Sequence, residues 1–198
     1  MKSTRARVTG EHFTHRHLWA TAEYLRSRGR EDADGGGHLT TGASIVLQFA
    51  VEAYANYLGE LVAPEEWAKE EEFFSQSRYR GATGKLRFIA SRLGVAAEAG
   101  RRPVSTLKEL EKRRHSAAHG RTEAFEVEVI VEPGRMGRGP DATILRLTDE
   151  RFLDRAFADA QSFCDRLQSA ATSSLGPIAV DSTRAFHGML GYQIGGML

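Results

Sequence analysis

The sequence predicts a mostly α fold, a bundle of four to five helices with a small β-hairpin inserted before the last helix. Three observations carry this expectation. Apolar residues recur every three or four positions across several long stretches between residues 11 and 171. Glycine and proline punctuate those stretches. Strict two-residue alternation appears only around residues 125–131.

Each element follows in order. Residues 11–28 read as a helix with Phe13, His17, Ala20, Tyr24 and Arg28 on one stripe, widened by Leu18, Ala22 and Leu25. "GREDADGGGHLTTG" (29–42), with three consecutive glycines and mixed acids, reads as a loop. "ASIVLQFAVEAYANYLGELV" (43–62) is the strongest helix, apolar over a broad face, with Gln48, Glu52, Asn56 and Glu60 forming a narrow polar strip at steps of four. Pro64 stops it and opens a short helix through Phe74. A further helix runs from about Thr83 to a C-capping Gly94, and another from about 104 to 119, stopped by Gly120. Phe125, Val127, Val129 and Val131 then alternate with Glu126 and Glu128 as a half-buried strand. A glycine-rich loop with Arg135 and Arg138 leads to a second strand, "ATILRLT", closing a hairpin at about 124–148. The last helix starts with Thr148 as N-cap and carries Leu153, Phe157, Ala160, Cys164, Leu167 and Ala171 as its core stripe. Residues 1–175 thus form one helical domain, and 176–198 an apolar, glycine-rich C-terminal arm.

Bulk properties narrow the function. With 41% hydrophobic and 27% charged residues the chain can bury an ordinary core. A formal net charge of +1 excludes a bulk nucleic-acid binder, so any such binding needs a local patch. The single cysteine, Cys164, sits in a helical stripe and has no intrachain partner, which fits a reducing compartment. The amino-terminal residues lack the apolar run of a signal peptide, and no stretch is apolar enough to span a membrane. A cytoplasmic protein without a membrane partner is expected.

The local patch is "EKRRHSAAHGR", residues 111–121, where three arginines, a lysine and two histidines share eleven positions. On a helix, Leu107, Leu110 and Ala118 form the inward stripe with Arg114 in its middle, while Lys108, Lys112, His115 and His119 form a second stripe. An arginine on an apolar stripe needs a partner or a cleft, and Gln48, Glu52 and Asn56 are the candidate partners on the strong helix. The plainer alternatives are that Arg114 snorkels out from the helix end and that the Lys–His stripe only answers the helix dipole. His115 and His119, four residues apart, can share a metal ion, but the remaining ligands of such a motif are missing and the neighbouring cations oppose a dication, so no metal and no other cofactor is expected.

"RHSAAH" resembles the signature of the HEPN superfamily, an arginine followed after four to six residues by a histidine, often with a polar residue directly after the arginine. Here these are Arg114, His115 and His119. Arg113 offers an alternative arginine, and the bare pattern also occurs irrelevantly at Arg7 and His12. Context adds to the resemblance: "LEKRRHSAAHG" closes a helix, and it follows a long apolar helix with an acidic residue in its middle. The resemblance covers residues 11–175 and implies a HEPN-like bundle. Many such proteins are metal-independent endoribonucleases, some of them toxins or defence effectors.

The resemblance therefore implies an endoribonuclease acting on RNA through its own 2′-hydroxyl, leaving a 2′,3′-cyclic phosphate and a 5′-hydroxyl. Imidazoles suit the proton transfers, and a planar guanidinium suits a crowded phosphate. His119 is expected as general acid or base, Arg114 as phosphate clamp, and His115 as positioning or second proton-transfer group. Glu52 would orient Arg114, while Lys108, Lys112, Arg113 and Asn56 would complete the substrate-binding set, with Arg135 and Arg138 extending it. RNA, a second copy of the chain in a homodimer, and an antitoxin or other partner protein are the expected partners. A non-catalytic HEPN-like module binding a nucleotide, an RNA or a protein is the alternative class, and a purely structural dimeric bundle the third.

Overall fold

The computed structural model describes residues 12–75, 78–120, 143–176 and 184–187. They form seven α-helices: α1 (Thr14–Glu31), α2 (Gly36–Val62), α3 (Pro64–Trp67), α4 (Glu70–Ser75), α5 (Gly81–Arg92), α6 (Val104–Ala118) and α7 (Glu150–Leu175). The five longer helices make the bundle, and the single short helix expected from Pro64 through Phe74 is divided into α3 and α4. No strand occurs among the described residues. Residues Thr143–Thr148, expected as the second hairpin strand, form a 3₁₀ segment instead. That segment packs between α2 and α6, and the Ser44 hydroxyl donates to the Leu147 carbonyl at 3.2 Å, so local contacts to helices replace strand pairing. The first strand, and Arg135 and Arg138 with it, lie outside the described residues.

The most apolar helix, α2, is the axis of the bundle and contacts α1, α3, α5, α6, α7 and the 3₁₀ segment. Leu47, Val51, Tyr54 and Leu58 are fully buried along it. Burying Tyr54 requires a partner for its hydroxyl, which donates to the Cys164 carbonyl at 3.0 Å and lies 3.1 Å from the Gln168 carboxamide. These bonds tie α2 to α7, whose expected stripe from Leu153 to Ala171 is buried throughout. Asp149 rather than Thr148 caps α7, its carboxylate accepting the Phe152 amide at 3.0 Å. An Arg102 fork on the buried Asp159, with both bonds at 2.8 Å, ties the chain ahead of α6 to α7.

Two expectations change in α1 and the residues after it. The buried face of α1 is His15, Arg16, Trp19, Ala22 and Gly29, whereas Ala20, Tyr24 and Arg28 are exposed. Trp19 offers the largest apolar surface of the helix, and its burial rotates the helix away from the smaller stripe. The expected loop 29–42 is mostly helix. Asp32 breaks the chain, its carboxylate accepting the amides of Asp34 and Gly35 at 3.0 and 2.8 Å, and α2 starts at Gly36. The glycines serve close approach: a Cβ on Gly36 would lie 2.4 Å from the Gly29 carbonyl oxygen.

Candidate functional site

A cleft of about 700 Å³ opens between α2, the start of α5 and the outer face of α6. Gln48 and Glu52 come from α2, Arg80, Gly81 and Ala82 from the start of α5, and Lys108, Glu109, Glu111, Lys112, Arg114 and His115 from α6. The spacing of Lys108, Glu111, Lys112 and His115 puts them on one helical face, while Leu107 and Leu110 hold the adjoining stripe in the core.

Gly81 shapes the wall. Its φ of +78° favours glycine, and a Cβ there would lie 2.0 Å from Glu111 Oε1. Glu111 thereby reaches the first turn of α5, where its other oxygen accepts the Thr83 amide at 3.4 Å and lies 3.5 Å from Lys108 Nζ. Glu109 is engaged by Arg113 at 3.1 Å. Lys112 and Arg80 have no carboxylate partner among the described residues, which leaves the cleft with surplus positive potential.

Arg114 faces this cleft. Its guanidinium lies 3.8 Å from Glu52 and sits over the Phe49 ring, 5.1 Å from the centroid. Its side chain is 30% exposed, so it is a cleft residue and not a core one. Its Nε is nonetheless buried without a hydrogen-bond partner among the described residues, as is Oε1 of Gln48, which is 1% exposed on the cleft lining. Ala118, expected inward, is exposed, because α6 is near its end there and leaves the bundle surface.

Arg113 points elsewhere. It is 14% exposed, lies over the Phe152 ring at 3.6 Å, approaches Asp149 at 3.7 Å and donates to the Arg146 carbonyl. The structure therefore separates the two candidate arginines: Arg114 lines the cleft, and Arg113 joins α6 to the 3₁₀ segment and α7. Arg113 thus stands away from the cleft lining, whereas Arg114 is part of it. Asn56 is also drawn away, its Oδ1 accepting Lys85 Nζ at 2.9 Å beside Glu70. The polar strip of α2 thus divides, with Gln48 and Glu52 on the cleft, Asn56 on Lys85, and Glu60 exposed.

His115 lines the cleft, and His119 packs against it with ring centroids 4.6 Å apart at 44°. His119 is the C-cap residue of α6, exposed, and does not itself line the cleft. Among the described residues no three His, Cys, Asp or Glu side chains cluster as metal ligands would, and no helix is long and apolar enough to cross a membrane. Sequence reasoning missed Arg80, Glu111 and Phe49 as site neighbours. The signal for the first was the Arg-Gly pair at 80–81, which marks a turn into a helix start rather than a helix interior.

Compared with protein-family models, curated proteins and solved structures, the chain matches none.

Proposed function

We propose that the chain is a metal-independent endoribonuclease of HEPN type. The observation that carries this reading is the grouping of Arg114, steadied by Glu52, with the paired rings of His115 and His119 at a cationic cleft. A guanidinium held by a carboxylate keeps its fork oriented toward a phosphate. Paired imidazoles supply one group to take the 2′-hydroxyl proton and one to protonate the leaving 5′-oxygen. Lys108 and Lys112 flank that position and neutralise the neighbouring backbone. In a homodimer, two copies of this set face one scissile phosphate across the two-fold axis. A role as toxin or defence effector, with an antitoxin or other protein partner, belongs to the same resemblance.

The test uses purified chain and defined single-stranded RNAs in EDTA. Wild type cleaves and leaves cyclic-phosphate ends, while His119→Ala and Arg114→Ala each lower the rate about 100- to 10,000-fold with unchanged circular dichroism. Cleavage that survives both substitutions overturns the assignment, and cleavage that requires an added metal overturns the mechanism.

A second reading, a non-catalytic module binding RNA or a nucleotide, is favoured by the position of His119 outside the cleft lining. RNA binding by wild type without any cleavage would establish it.

A further inference from the structure

Beside the cleft lies a smaller pocket of about 170 Å³, lined by Arg78, Arg80, Thr83, Gly84, Arg87 and Lys108, with no acidic residue in its lining. It shares Arg80 and Lys108 with the cleft, so the two adjoin. Three features mark it as built for an anion. Four residues with cationic side chains, Arg78, Arg80, Arg87 and Lys108, stand in its lining beside Ala99 and Val104, and the space admits a tetrahedral group. Thr83 is 2% exposed and its hydroxyl has no hydrogen-bond partner among the described residues. Arg87 Nε, on the next turn of α5, is likewise buried and unpartnered. Two buried polar groups without partners cost stability unless something completes them.

We propose that this pocket binds a single phosphate group, adjacent to the one that Arg114 would clamp. The Thr83 hydroxyl and Arg87 Nε–H donate to its oxygens, and Arg78, Arg80 and Lys108 balance its charge. The phosphate is either the neighbouring group of an RNA backbone, an option that rests on the ribonuclease reading, or a free or terminal phosphate of a small ligand, which does not.

The test follows backbone amide shifts of the full-length chain during titration with inorganic phosphate at constant ionic strength. Saturable shifts are expected for residues Thr83 to Arg87. Thr83→Val, which keeps the shape, and Arg87→Gln should each weaken the midpoint about tenfold or more, while Arg114→Gln moves it far less. Absence of a saturable shift, or a midpoint unchanged in both pocket variants, overturns the proposal. A second pair of titrations, in His119→Ala protein, separates the sources. If the pocket holds RNA backbone, a short oligoribonucleotide shifts the Thr83 and His115 amides together and loses affinity in Arg87→Gln. If it holds a free phosphate, a nucleoside monophosphate shifts the Thr83 amide and the oligonucleotide is indifferent to Arg87→Gln. Phosphate binding without any oligonucleotide binding retains the pocket and defeats the ribonuclease reading.

Discussion

The guanidinium of Arg113 covers Phe152 and pairs with Glu109, while that of Arg114, one residue on, turns 100° around the helix to the cleft and Glu52. The first arrangement is packing and the second is half solvated. Arg113→Ala should therefore lower unfolding free energy by about 1–3 kcal/mol, measured in urea, through the lost cation–π contact and the orphaned Arg146 carbonyl. Arg114→Ala should change it by less than about 1 kcal/mol, since a partly exposed pair contributes little. Equal losses at both positions would show that the two arginines do not divide these tasks. His15 sets a second expectation at this scale. It is 2% exposed, and its pKa is lowered from 6.5 to about 4, first by burial and then by the charge of Arg16, against a backbone hydrogen bond to Ala185. Below pH 6.5 the unfolded chain takes up a proton that the folded chain refuses. Stability should thus fall as pH drops from 6.5 to about 4 and level off from this group below that, by up to about 3 kcal/mol. Urea unfolding at neutral and acid pH checks it: His15→Gln should remove that part of the slope, and an unchanged slope would sink the assignment.

At the scale of elements, the join of α1 and α2 shows why a glycine run can belong to a helix. Gly36 lets its backbone meet that of Gly29 where no Cβ fits, and Gly29 itself has little room to spare. Gly36→Ala should destabilise by about 1–3 kcal/mol, because the Cβ meets a backbone carbonyl that cannot move aside. Gly37→Ala, whose Cβ would touch only the Thr148 methyl at 3.5 Å, should be neutral or stabilising by up to about 1 kcal/mol through helix propensity. Melting temperatures of the two variants that move together would refute the close-approach argument. The stripe of α7 was legible because its apolar period is regular and one-sided. That of α1 was not, because its buried face includes His15 and Arg16, which composition assigns to solvent.

For the whole molecule, the described part of the C-terminal arm returns to its own bundle. Phe186 is buried and stacks on Trp19 at 4.2 Å, the Ala185 amide donates to Asp165 at 2.8 Å, and His187 lies 2.9 Å from Gln161. The arm's other apolar residues, Met189, Leu190, Tyr192 and Ile194, lie outside the described residues. The proposed homodimer rests on the cleft, where a single Arg–His set supplies few groups for two proton transfers and a phosphate. Light scattering at micromolar concentration should give twice the chain mass of 21.9 kDa. A monomer with full ribonuclease activity would end the dimer proposal.

The sequence by itself determined the helical class, the order and most boundaries of the long helices, and the concentration of cations and imidazoles at 111–121. Those features are local, written in a period of 3.6, in capping residues and in residue type. The hairpin expectation failed at 143–148 because a short, mostly apolar run describes a strand and a buried helical turn equally well, and contact with α2 and α6 decided between them. Only the tertiary structure put Arg114 and not Arg113 on the cleft lining, sent Asn56 to Lys85, and set Gln48, Arg80 and Glu111 around one cleft. Each of these depends on which helix lies opposite, and a period along one helix carries no record of its neighbours.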